Sequence, residues 1–151
     1  MKKLFYIVSG SSVIIVLSLI IFSIASHKAP ELGVFNGKLY PCPPTPNCVS
    51  SEIPGTPAYI DPFTYTTTSN EAWRKIKQAI TTTGGEVITD HKTYLHAIYV
   101  TPLIRFVDDV ELRLDDQQHL IHIRSASRVG RSDLGANRQR VEKIRAVWQS
   151  K

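Results

Sequence analysis

The pattern of hydrophobic and polar positions changes several times along the chain. From Leu4 to Ser26 there are 23 residues without a charge and without a polar face. About 20 apolar residues are enough to span a bilayer, so this run predicts a transmembrane helix. Residues 28–65 have no period and contain eight of the nine prolines, Pro30 to Pro62. Proline fixes φ and lacks an amide donor, so this stretch predicts extended coil, a strap across the folded domain. Trp73, Ile76 and Ile80 then recur at helical spacing, with Ala72 and Ala79 beside them. After them come Glu86–Thr89, Tyr94–Thr101, Arg105–Asp115 and Leu120–Ser127, which read as strands. Leu134, Asn137, Val141, Ile144 and Trp148 return to helical spacing and share one face.

Local signals bound these elements. Thr68 and Glu71 stand at capping-box spacing ahead of the first of the two domain helices, and Gly84-Gly85 ends it. Ser132 or Asp133 is a suitable N-cap for the last helix. In Arg105–Asp115 the residues Phe106, Val110, Leu112 and Leu114 fall on one face, and Asp109, Glu111 and Arg113 on the other. Asp108 breaks this alternation, because it falls on the apolar face. A one-residue slip would expose a whole core face, so the register with the next strand is constrained. Leu114 pairs with Ile121 and Leu112 with Ile123, which sets Glu111 opposite Arg124 and Asp108 opposite Ser127. Asn137, on an otherwise apolar helix face, needs hydrogen bonds to the neighbouring strand or turn.

The elements add up to an α+β fold. A single small domain, residues 66–151, has an antiparallel sheet of about three to five strands packed against two helices. The strap of residues 29–65 and a signal anchor over residues 1–28 precede it.

Charge and cysteine usage set the compartment. Lys2 and Lys3 ahead of the apolar run should stay cytoplasmic, which puts the rest outside the cytoplasmic membrane as a single-pass periplasmic protein. Ser23-Ile24-Ala25 also fits a small-x-small cleavage site, so secretion after cleavage near Ala25 is the alternative. The only two cysteines, Cys42 and Cys48, are separated by five residues of turn-prone sequence. In an oxidising compartment such a pair reads as a structural disulfide loop. No second cysteine pair follows, the spacing is not C-x-x-C, and the five histidines show no ligand spacing, so no metal and no cofactor are expected. Nucleic acid is not expected as a partner, on compartment grounds, despite a net charge of +5.

The charge is also segregated. Residues 120–151 carry eight Lys/Arg against two acids, whereas residues 104–119 carry two Arg against five acids. Two chemistries compete for this pattern. Arg124, Arg128, Arg131 and Arg138, with Ser132 at the Gly130–Gly135 turn, make a candidate anion or phosphate site at a helix start. Asp108, Asp109 and Glu111 make a candidate acid/base set for a hydrolase-like enzyme, with Asp108 singled out by its apolar face. The plainer reading is that these arginines and carboxylates neutralise one another inside the fold, and it outweighs both. No G-x-S-x-G, phosphate-loop or dinucleotide fingerprint is present. The overall expectation is a membrane-anchored, non-catalytic module of the cell envelope. Its partners would be an anionic ligand, lipid head groups reached by the basic last helix, or an envelope protein.

Several motifs carry a family resemblance. They are Pro41-Cys42-Pro43 with Pro46-Asn47-Cys48-Val49-Ser50-Ser51, then Asp108-Asp109-Val110-Glu111, then Arg124-Ser125-Ala126-Ser127-Arg128-Val129-Gly130 with Ser132-Asp133-Leu134-Gly135 and Asn137-Arg138. Over residues 39–147 the chain resembles the family called domain of unknown function 1499. The resemblance supports the domain boundaries and the polar cluster, and implies no chemistry.

Overall fold

The computed structural model describes the backbone of residues 2–150 and the side chains of residues 13–150. In chain order the elements are α1 (Lys2–Ser26), β1 (Val34–Phe35), β2 (Lys38–Leu39), β3 (Cys48–Ser50), β4 (Phe63–Thr64), α2 (Ser69–Thr82), β5 (Glu86–Asp90), β6 (Tyr94–Val100), β7 (Val107–Asp115), β8 (Leu120–Ser127) and α3 (Ala136–Gln149). The fold is α+β. Its main sheet is antiparallel and six-stranded, in the order β3-β8-β7-β6-β5, with β4 also pairing with β8. A separate two-stranded ribbon joins β1 and β2.

The strand count exceeds the three to five expected, because the strap contributes strands of its own. β3 and β4 both pair with the free edge of β8, at Cys48↔Ala126 and Phe63↔Ile121. The prolines lie outside these short segments, which keeps every ladder amide available. The strap also supplies core residues: Leu39, Val49, Ile60, Phe63 and Tyr65 are buried. Residues 29–65 are therefore built into the folded unit.

The β7–β8 register is the one read from the sequence, with Leu114↔Ile121, Leu112↔Ile123, Glu111↔Arg124 and Asp108↔Ser127. This alternation divides the sheet into two faces. Val110, Leu112, Ile121, Ile123, Leu95 and Ala97 pack against Ile76 and Ile80 of α2 and Val141 and Ile144 of α3. The opposite face presents His96, Asp109, Glu111, Arg113 and Arg124, and the strap crosses it.

Both domain helices are capped. For α2 the capping box is present: the Thr68 hydroxyl accepts the Glu71 amide, and the Glu71 carboxylate accepts the Thr68 amide. α3 starts later than Ser132 or Asp133 would place it, at Ala136 after Gly135 in a left-handed conformation. Asp133 still acts as the cap in chemical terms, because its carboxylate accepts the amides of Gly135 (3.0 Å) and Asn137 (2.7 Å). The late start removes Leu134 from the apolar helix face; it is 92% exposed in the preceding turn. The rest of that face, Asn137, Val141, Ile144 and Trp148, is buried.

α1 leads directly into the sheet. The Ser26 hydroxyl accepts the Val107 amide at 3.1 Å, and Arg128 Nη1 donates to the Ser26 carbonyl at 3.1 Å. Among the described residues, no helix is long and apolar enough to cross a membrane. Residues 4–12 of the span expected from the sequence lie outside the described side chains.

Candidate functional site

The candidate residues fall into two clusters on opposite faces of the sheet, joined along β7 and β8. On the strap-covered face, alternation puts Asp109 and Glu111 side by side on β7, with Arg124 across the ladder and Arg128 just past the end of β8. Arg128 grips Asp109 through two hydrogen bonds, Nε to Oδ2 at 2.8 Å and Nη2 to Oδ1 at 2.7 Å. His96 Nε2 lies 2.8 Å from the same Oδ1. Burial alone would raise the Asp109 carboxyl, but the hydrogen bonds from His96 and Arg128 outweigh it and hold the group below the usual carboxylate range.

Glu111, fully buried, accepts from Arg124 Nη1 (2.9 Å), the Tyr94 hydroxyl (2.9 Å) and the Gly33 amide (2.7 Å). Burial first, and the Glu111 charge second, push the Tyr94 hydroxyl well above the usual tyrosine range. Further along this face Arg113 Nε donates to Glu52 at 2.7 Å, and the other Glu52 oxygen accepts the Leu39 amide at 2.6 Å. His122 completes the row, with Nδ1 3.1 Å from the Ser51 hydroxyl and 3.7 Å from Glu52.

The second cluster sits where β8 meets α3. Asn137 is its hub: its carbonyl oxygen accepts the Ser125 hydroxyl at 2.6 Å, and its amide donates to the Asn47 carbonyl and the Ser127 hydroxyl, both at 2.9 Å. Arg140, one turn further along α3, donates to Asn137, to Ser125 (3.0 Å) and to Asp108 (2.5 Å). Asn47 ties in the strap by donating to the Gly130 carbonyl at 2.7 Å.

The three candidate carboxylates therefore do not form one acid/base set. Asp109 and Glu111 face the strap with arginine partners, and Asp108 faces α3 with Arg140. The five anion-site candidates do not converge either. Arg124 and Arg128 are held by Glu111 and Asp109, and Arg138 donates to the Pro57 and Tyr59 carbonyls at 2.8 and 2.9 Å. Ser132 caps the Leu134 amide from an exposed position. Arg131 is exposed and has no side-chain partner among the described residues. The basic last helix is likewise engaged with the fold, since Arg145 donates to the Asp61 and Pro62 carbonyls. Lys151, part of that basic stretch, lies outside the described residues.

Arg140 joins the site although it is not among the candidate residues of the sequence, which does hold a signal for it. Asp108 on the helix-facing side demands a cation from a helix, and Arg140 shares the Asn137 face at i+3. His96, Tyr94, Glu52 and Asn47 carried no such signal, because their partners are set by strand pairing and by the path of the strap. Among the described residues no group of histidine, cysteine, aspartate and glutamate has the arrangement of a metal site. Cys42 and Cys48 form the disulfide. A cavity of about 210 Å³ opens beside the α3 cluster, lined by Phe22 of α1, Phe106, Asp108, Ser127, Gly130 and Ser132 among others.

No curated protein and no solved structure matches this chain. The side chains that build both clusters, from Asn47 to Arg140, all lie within residues 38–147, which match the model of a family described as a protein of unknown function, DUF1499, and the chain belongs to that family.

Proposed function

We propose that the protein is a membrane-tethered module of the cell envelope whose folded domain acts by binding, with α1 as the tether. The observation that carries this reading is the exposure of α1. Val13, Ile14, Ile15, Val16, Leu17, Ile20, Ile21, Phe22 and Ile24 are all exposed large apolar residues, and they occupy every side of the helix. A helix that is apolar all round needs an apolar surround, and the domain covers little of this one beyond Ser26. The Cys42–Cys48 disulfide fits an extracytoplasmic domain, and Lys2-Lys3 fits an N-terminus left in the cytoplasm.

Two further observations narrow the reading. Asp108, Asp109 and Glu111 are each engaged by arginine, which supports binding over hydrolysis. The anion-binding idea contracts to Arg131 and Ser132, because Arg124 and Arg128 are held by carboxylates and Arg138 by strap carbonyls.

The test is alkaline carbonate extraction of membranes from cells producing the full chain, with protease treatment of intact spheroplasts. The expected result is a protein that stays in the membrane pellet and loses its domain to external protease. Release into the carbonate supernatant, or a domain protected until lysis, sinks the reading.

A further inference from the structure

The domain end from which α1 emerges carries two loops whose exposed tips, at Leu103 and Arg131, take no part in the two clusters. β6 and β8 finish there and β7 begins there, while the β7–β8 turn at Gln117 lies at the opposite end of the strands. The β6–β7 loop holds Leu103, 99% exposed, followed by the exposed Ile104 and Arg105. The other loop, Val129 to Gly135, holds Arg131. Phe22 lines one cavity together with Thr101, Phe106, Gly130 and Ser132. Both loops thus flank α1 at the level of Phe22, about one helical turn toward its N-terminus from Ser26. They reach past the point where the helix leaves the domain.

The β6–β7 loop is a built structure. The Thr101 amide donates to the Phe106 carbonyl and the Arg105 amide to the Thr101 carbonyl, at 2.9 and 3.1 Å. The Phe106 amide donates to the Thr101 hydroxyl at 2.9 Å. Within this frame Leu103 and Arg105 both take positive φ, 66° and 61°. Side-chain-bearing residues rarely adopt that conformation, and two in three positions point to a functional constraint. The frame holds a leucine in solvent and leaves an arginine beside it. Arg105, Arg131 and Lys28, just after the end of α1, have no side-chain partners among the described residues.

We infer that these loops form a second contact with the bilayer that α1 enters, with Leu103 and Ile104 seated at the headgroup–acyl boundary and Arg105, Arg131 and Lys28 facing anionic lipid phosphates. The inference rests on the reading of α1 as the tether. An apolar tip rimmed by cations is the chemistry of an anionic membrane surface. Continuity with the tether selects lipid over a protein partner, because the loops lie beside the one apolar helix that the domain leaves exposed. The domain then stands on the membrane at fixed height and orientation, through Arg128 and Ser26, and does not swing on the strap.

The test uses the full chain in vesicles of phosphatidylcholine and phosphatidylglycerol. Leu103→Cys and Gln117→Cys are each labelled with an environment-sensitive fluorophore; the native cysteines are in their disulfide and do not compete. Quenchers attached to lipid chains should dim the Leu103 label severalfold more than the Gln117 label. That difference should shrink in pure phosphatidylcholine and in the Arg105→Gln/Arg131→Gln variant. Equal quenching at both sites in carbonate-resistant protein overturns the inference and leaves the tether standing. Loss of the protein from the vesicles in carbonate overturns the tether and the inference with it. A Leu103 label shielded from aqueous iodide but untouched by lipid quenchers assigns the loop to a second copy of the chain and overturns the lipid contact. A difference that persists in pure phosphatidylcholine overturns the role of the three cations.

Discussion

On the helix-covered face of the sheet the buried polar groups are mostly neutral: Asn137 and Ser125, beside the half-buried Ser127, with Arg140–Asp108 at the edge. On the strap-covered face they are charges: Glu111 with Arg124, Asp109 with Arg128 and His96, Glu52 with Arg113. The covers explain the difference. A helix satisfies its own backbone, so α2 and α3 can lie on Leu112, Ile123 and their neighbours without demanding acceptors. An irregular segment brings amides that need partners. Glu111 accepts the Gly33 amide and Glu52 the Leu39 amide, while arginines bind their remaining oxygens. The charged face is the means by which an extended strap is pinned to a sheet.

The largest expected effect follows from that role. Glu111→Ala leaves Arg124 buried without its partner and the Tyr94 hydroxyl and Gly33 amide without their acceptor. Among the described residues Arg124 Nε already has no hydrogen-bond partner, so nothing nearby compensates. Losing one member of a buried pair costs about 3–5 kcal/mol, read as a shift in the urea midpoint. The double variant Glu111→Leu/Arg124→Leu should recover much of that loss, because it removes both buried charges. If the double variant is no better than the single one, the charges are not what holds the face.

On the neutral face, Asn137→Ala takes the acceptor from the Ser125 hydroxyl and Arg140 and the donor from the Ser127 hydroxyl, while the Asn47 carbonyl keeps the Ser127 amide. The expected cost is about 2–3 kcal/mol by the same measurement, from unsatisfied but uncharged groups. A loss larger than that for Glu111→Ala would reverse the comparison. Cys42→Ser/Cys48→Ser comes next. For so short a loop the chain-entropy model gives about 2 kcal/mol. The loss should appear equally on adding reductant to the unaltered protein, seen as a lower melting temperature.

How much of this was legible in the sequence also divides by face. Period two fixed the β7–β8 ladder, and with it Glu111 opposite Arg124 and the place of Asp108. Period 3.6 fixed the buried face of α3 apart from Leu134, which a left-handed turn carries out of the helix. The caps at Thr68 and Asp133 were visible as residue types, although α3 itself starts three residues after Asp133. The strap was legible as an extended segment, but its path across the sheet was not. Its proline content hid the short strands β3 and β4, whose existence depends on a free edge of β8 that no local pattern announces. The partners of His96, Glu52 and Asn47 follow from that path and were equally hidden. The candidate anion site dispersed for the same reason: the strap supplies the Pro57 and Tyr59 carbonyls that occupy Arg138.

The smallest expected effect is a pH dependence whose upper part belongs to the charged face, while its acid part is shared with Asp90 and Asp133, whose carboxyls hydrogen bonds also lower. Burial first, and the nearby Arg113 charge second, push the His122 imidazole below its ordinary value. The Ser51 hydroxyl accepts the Ile123 amide, so its hydrogen can be donated to Nδ1 of a neutral ring. A folded-state pKa below the unfolded one means that the unfolded chain binds the proton more readily. The stabilisation is therefore complete above about pH 6.5 and is lost as pH falls through the depressed folded value. Asp109 is lowered too, so its contribution is present above the ordinary aspartate value near 3.9 and disappears only in stronger acid. Two separate declines should appear as the melting temperature is followed downward in pH. His122→Asn should flatten the upper one and leave the lower, while Asn137→Ala should leave the upper one in place, because Asn137 has nothing to titrate and does not touch His122. If Asn137→Ala flattened the upper decline as much as His122→Asn does, the two faces would be coupled and could not be compared as separate covers.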